Sequence, residues 1–94
     1  MIAVNKPFPL GQVLATPAAL ALLGKCGESP SEFLDRHVRG DWGEVDEHDR
    51  QANEDALVDG ERLLSAYRTK LGEKIWIITE ADRSATTILL PDDY

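Results

Sequence analysis

The sequence has a single cysteine, Cys26. It cannot close an internal disulfide, and with His37 and His48 it does not make zinc-ligand spacing, so neither a disulfide scaffold nor a metal site is expected. No run approaches the ~18 consecutive apolar residues of a membrane span. The opening MIAVNKPFPLG has no basic region followed by an apolar stretch of secretory length, which points to a reducing cytoplasm. Internal repeats, low-complexity tracts, a nucleotide-binding glycine pattern and a nucleophile elbow are all missing, and no cofactor is expected.

Positive charge is scarce as well. Seventeen acids against ten bases leave a net charge of −7. Between Asp41 and Glu61 stand nine acids and one base, Arg50, a local balance of −8. A field of this sign repels phosphate and argues against direct DNA or RNA binding. It suits a solvated acidic helix, or contact with a basic protein surface.

What remains is an ordinary globular composition, 43% apolar and 29% charged, in a 94-residue chain that makes one domain. Pro7, Pro9 and Gly11 mark residues 1–15 as an extended arm, with a short strand at Gln12–Ala15. Thr16-Pro17 starts a short apolar helix carrying Leu20, Leu22 and Leu23, which Gly24 is expected to stop. Ser29-Pro30-Ser31-Glu32 has capping-box spacing and starts a second helix, with Phe33, Leu34, His37 and Val38 on one face. Gly40–Gly43, GDWG, reads as a turn. A third helix is expected from Asp46 to Val58, capped by Asp46, stopped by Gly60, with a thin apolar stripe of Ala52, Ala56 and Leu57.

The last third changes period. Arg62–Arg68, Lys74–Thr79 and Thr86–Leu90 are rich in β-branched and aromatic residues and are separated by polar inserts. They predict a three-stranded antiparallel meander, so the fold class is α+β: an arm and two to three short helices, then the meander. Ile75 and Ile77 point one way along the middle strand and Trp76 and Ile78 the other, with Trp76 and Ile78 expected to be buried. One sheet face takes the helices; the other needs a cover, such as the arm or a partner.

Two chemistries are open. Cleavage of RNA at its 2′-hydroxyl needs a base, an acid and cations for the phosphorane charge, which His37 or Glu80 with Arg68 and Arg83 would supply. Equally, His37 fits a packed residue on an apolar helix face, and Glu80–Ala85 fits a hairpin connection with Arg83 as an anchor. Trp42, between two glycines, reads either as a plug that seats its turn or as an exposed recognition aromatic.

The blocks RHVRGDWG (Arg36–Gly43), RLLSAYR (Arg62–Arg68) and KIWIITEADRSATTILLPDDY (Lys74–Tyr94) resemble a family of small bacterial proteins carried on plasmids and other mobile elements. The resemblance runs from about Leu10 to Tyr94. It implies a mobile-element setting, in which small acidic proteins act on host or rival machinery, and brings no site residues of its own. At the level of architecture alone, helices followed by an antiparallel sheet resemble the barnase and RelE-type ribonuclease toxins, whose basic character this chain does not share.

The leading expectation is therefore a non-enzymatic protein-binding protein, an inhibitor or modulator of a host defence or nucleic-acid-binding protein. Trp42 anchors the contact, and Asp46, Glu47, Asp49, Glu54 and Asp55 steer a partner with a basic surface. The alternative is a small ribonuclease built on His37, Arg68, Glu80 and Arg83. The oligomeric state is left open by the sequence.

Overall fold

Short-range signals set the helices. Thr16 caps the first one, its Oγ1 accepting from the Ala19 N–H at 3.1 Å, and Pro17 sits at the first position, so α1 runs Pro17–Cys26. It passes through Gly24, against expectation. The chain turns only at Gly27, in the left-handed region at φ +69°, where the Glu28 N–H returns to the Leu23 carbonyl. Ser29 and Pro30 start α2, Pro30–Val38. Asp46 caps α3, Glu47–Asp59, and accepts from the Asp49 N–H at 2.7 Å.

The computed structural model describes residues 8–94; the part of the expected arm before Phe8 lies outside them. Four strands complete the domain: β1 (Gln12–Ala15), β2 (Leu63–Arg68), β3 (Lys74–Thr79) and β4 (Ala85–Leu89), followed by a 3-10 turn at Pro91–Asp93. They lie in the order β1-β4-β3-β2. The β2–β3 and β3–β4 pairs are antiparallel, which is the expected meander. The sheet does not stop there. β1 adds a fourth strand parallel to β4, with Gln12 opposite Ala85 and Ala15 opposite Ile88, so the sheet is mixed. A parallel partner needs a long crossover, and here α1, α2, α3 and two strands lie inside it.

Alternation along the strands separates two faces. Leu63, Tyr67, Ile75, Ile77 and Ile88 point to the helices and meet Ala19 and Leu23 of α1, Phe33 of α2 and Ala56 of α3. Tyr67, Leu23, Leu63, Ile75, Ile77 and Ile88 are fully enclosed, each contributing roughly 1.5–3 kcal/mol of hydrophobic stabilisation. On the opposite face Ile78 is buried, but Trp76 stays half-buried, edge-on to Tyr94 at 5.9 Å between ring centroids. The expectation that both are buried holds for Ile78 alone, because Trp76 borders an open concavity on this face. Among the described residues no helix is long and apolar enough to cross a membrane.

The expected stripe on α3 is also displaced. Ala52 and Leu57 are exposed, and the residues that face the sheet are Ala56 and a polar one, Asn53. Asn53 is accommodated because it bonds to the backbone of β2 at Leu64.

Candidate functional site

His37 lies at the centre of the helix–sheet layer and is 0% exposed. Its Nδ1 meets Ser65 Oγ at 2.6 Å, and its Nε2 meets Thr79 Oγ1 at 2.9 Å. Thr79 Oγ1 lies 2.7 Å from Thr86 Oγ1, and Thr86 Oγ1 donates to the Leu10 carbonyl at 2.7 Å. Each hydroxyl has one hydrogen, so this last bond orients those behind it. Thr86 donates to Leu10; Thr79 must then donate to Thr86, and His37 Nε2–H to Thr79. Burial keeps the imidazole neutral, so Nδ1 is the acceptor and Ser65 donates to it. The imidazole pKa is pushed down to about 4, first by burial and then by the Arg83 charge.

A serine donating to a histidine is also the first contact of a nucleophile and its base. Here it cannot serve that chemistry. Ser65 and His37 are both fully buried, and Phe8 and Trp42 close over the ring at centroid distances of 5.2 and 5.7 Å. No substrate reaches the pair. The chain of hydroxyls instead ties together α2, β2, β3, β4 and the backbone at Leu10, a role the packed reading of His37 covers.

None of the other groups of the ribonuclease reading hydrogen-bonds to His37, and of them only the Arg83 charge acts on it. Glu80, at the end of β3, stands 3.8 Å from Arg62. Arg68, at the far end of β2 opposite Lys74, pairs with Glu44 at 2.9 Å. At ~3.4 Å per residue the two ends of this ladder are roughly 17 Å apart. Arg83 adopts φ +61° in the Glu80–Ser84 connection and aims inward. Its Nη1 donates to the carbonyls of Glu61 and Glu80 at 2.6 and 3.1 Å, and its Nη2 to that of Ala56 at 3.1 Å. The guanidinium thus holds the end of α3 to the β3–β4 loop, with Phe8 stacked 5.8 Å beyond it. The anchor expected of Arg83 is made to backbone carbonyls.

Trp42 is 4% exposed and packs with Ala56, Leu63, Phe8 and Val45. Its Nε1–H donates to Glu54 Oε2 at 2.9 Å. Burial moves the indole, and with it the half-buried Glu54, from the contact surface to the joint between the GDWG turn and α3. The remaining acids stay on the outside: Asp46, Glu47, Asp49 and Asp55 are exposed along α3. Arg50 pairs with Glu47, whose carboxyl it holds below the usual range. At the start of the helix Asp46, His48 and Asp49 bring ligand-type atoms within 4.8 Å of one another, though Asp46 already serves as the cap.

The opposite sheet face carries a shallow concavity of about 290 Å³ lined by Arg62, Leu63, Leu64, Trp76, Ile78 and Tyr94. No family model matches the chain, and no curated protein or solved structure matches it either.

Proposed function

We propose that this chain is a non-catalytic protein-binding protein that docks the acidic surface of α3 on a basic partner. The observation that carries the reading is the arrangement of α3. Asn53 and Ala56 fix one side of the helix to β2, and Asp46, Glu47, Asp49 and Asp55 project from the rest of it. Charges on a fixed element steer association better than charges on a loose one, because less ordering entropy is lost on docking. The enclosure of His37, the use of the Arg83 guanidinium on backbone carbonyls and the place of Arg68 at the far end of β2 support a binder over a nuclease. The resemblance of three sequence blocks to plasmid-borne proteins supports a mobile-element setting, in which the partner is a defence or nucleic-acid-binding protein of the host. Such a partner presents a basic surface by the nature of its ligand.

The test is affinity capture from host extract, comparing wild type with a variant carrying Asp46→Asn, Glu47→Gln, Asp49→Asn and Asp55→Asn. Asparagine preserves the cap at position 46. Capture of a basic protein by wild type alone, with unchanged melting of the variant, is the expected result. The association rate with that protein falls as salt shortens the screening length below ~8 Å. An association rate indifferent to salt and to the four substitutions refutes the reading.

A further inference from the structure

The two edges of the sheet are treated differently. On β2 the outward backbone groups belong to Leu64, Ala66 and, at the strand's end, Arg68, and the first two residues are satisfied. Asn53 bonds the N–H and C=O of Leu64; the Ala66 N–H donates to the Trp42 carbonyl at 3.0 Å, and its carbonyl accepts from the Glu44 N–H at 2.6 Å. On β1, Gln12 and Thr16 direct their N–H groups to Ser84 and Ile88 across the ladder at 3.0 and 2.9 Å. By alternation Val13 and Ala15 direct theirs outward, and they have no backbone partner among the described residues. Proteins blunt such edges with lysine, proline or an overlying element. β1, QVLA, has no charge and no proline.

The surface beside this edge is unusual in the same way. A helix on a protein surface presents polar side chains to water. The exposed residues of α1 before Lys25 are Pro17, Ala18, Leu20, Ala21 and Gly24, with Leu20 52% exposed. Val13 and Leu14 on β1 are 47% and 43% exposed. No charged residue occurs between Phe8 and Gly24, in a chain of net charge −7.

We infer that β1 pairs with β1 of a second copy of this chain, antiparallel about a two-fold axis, to give a continuous eight-stranded sheet. Charge selects the occupant. Two copies at −7 repel wherever their acidic surfaces approach, and the β1–α1 edge is where that repulsion is least. A foreign basic protein is drawn to α3 instead. Symmetry sets the register. A two-fold axis through Leu14 places Val13 opposite Ala15 of the second copy, and each such pair exchanges both of its N–H···O bonds. Leu14 then faces its own counterpart in the close, non-hydrogen-bonded position. Gly11, at φ +65° with its Cα seated against the Ser84 backbone, ends the pairing at β1. The edge is short, so the dimer is weak and concentration-dependent. The inference is independent of the partner proposed for α3.

The experiment is sedimentation of wild type from about 5 μM to about 500 μM, with hydrogen exchange at both ends of the range. The expected mass doubles across it, and exchange slows at the Val13 and Ala15 amides. Val13→Pro removes only an outward N–H and leaves the β1–β4 ladder intact. Leu20→Lys charges the neighbouring helix face without touching the strand. Both variants stay monomeric while circular dichroism reports a folded chain. In a Cys26→Ser background, Leu14→Cys forms an intermolecular disulfide on mild oxidation. A wild type that remains monomeric at the highest concentration overturns the inference, as does a dimer unaffected by both folded variants.

Discussion

Asn53 grips the Leu64 peptide unit from both directions: its Nδ2 donates to the Leu64 carbonyl at 2.7 Å, and its Oδ1 accepts from the Leu64 N–H at 3.0 Å. A side-chain amide is standing in for the next strand of the sheet. Asn53→Ala removes both bonds and leaves a partly buried N–H and C=O unpaired, at a cost of ~1–3 kcal/mol. Asn53→Asp keeps the acceptor, loses the donor and adds a buried charge, so it is expected to be at least as unstable. Urea denaturation with an unchanged slope checks both.

The pH dependence of stability isolates His37. Its folded pKa of about 4 lies below the ordinary 6.5, so the unfolded chain binds the proton first as pH falls. The stability this residue contributes is complete above pH ~6.5 and is lost progressively down to pH ~4, amounting to about 2 kcal/mol between pH 7 and pH 5. The carboxyls of Asp41 and Asp93, held low by Arg36 and Thr16, lose their contribution at lower pH still. Denaturant midpoints at pH 7, 6 and 5, with His37 followed by NMR, are the measurement. A His37 imidazole that titrates near 6.5 in the folded protein contradicts the enclosed network.

Arg83→Ala is expected to cost ~1–3 kcal/mol, since it strips charged donors from carbonyls on both α3 and the β3–β4 loop. Lysine restores the charge on a single nitrogen without the fork that spans these carbonyls, and recovers part of this. Exchange at the C-terminal turn of α3 accelerates in the alanine variant, whereas a purely local loop contact leaves that turn unchanged.

Gly43 sits at φ +75° where its Cα approaches the Ala66 carbonyl, and an added Cβ would overlap that oxygen and the Tyr67 ring. Gly43→Ala therefore displaces the bridge to β2 and lowers stability by more than the ~1 kcal/mol of the backbone conformation alone. Gly60→Ala, at φ +77° with open space around its Cα, carries only the conformational cost. Melting temperatures of the two variants separate these contributions.

The helix starts at Thr16-Pro17, Ser29-Pro30 and Asp46 were legible because a cap acts within three residues of itself. The meander was legible because its strands are consecutive. The pairing of β1 with β4 was not, since a parallel ladder between the two ends of the described chain leaves no local periodicity. Ser65, Thr79 and Thr86 were hidden behind strand propensity, although a hydroxyl at an inward position of an otherwise apolar strand is a signal of a buried network. Asn53 reads in sequence as one more polar residue on a solvated helix; only the position of β2 makes it structural. Trp42 was open between plug and anchor until the packing of Phe8, Ala56 and Leu63 around it was known.

The β1–β4 ladder also orders events in time. Gln12–Ala15 leaves the ribosome before every helix, and Ala85–Leu89 follows all of them. The helices and then the β2–β3 hairpin can form as they emerge, but β1 waits until β4 has followed them. Closure of that long loop is expected to be the slow step, because its entropy is lost before its contacts are gained. Until then β1 has both backbone edges open, and the nascent chain passes through its most association-prone form just before it is complete around this sheet.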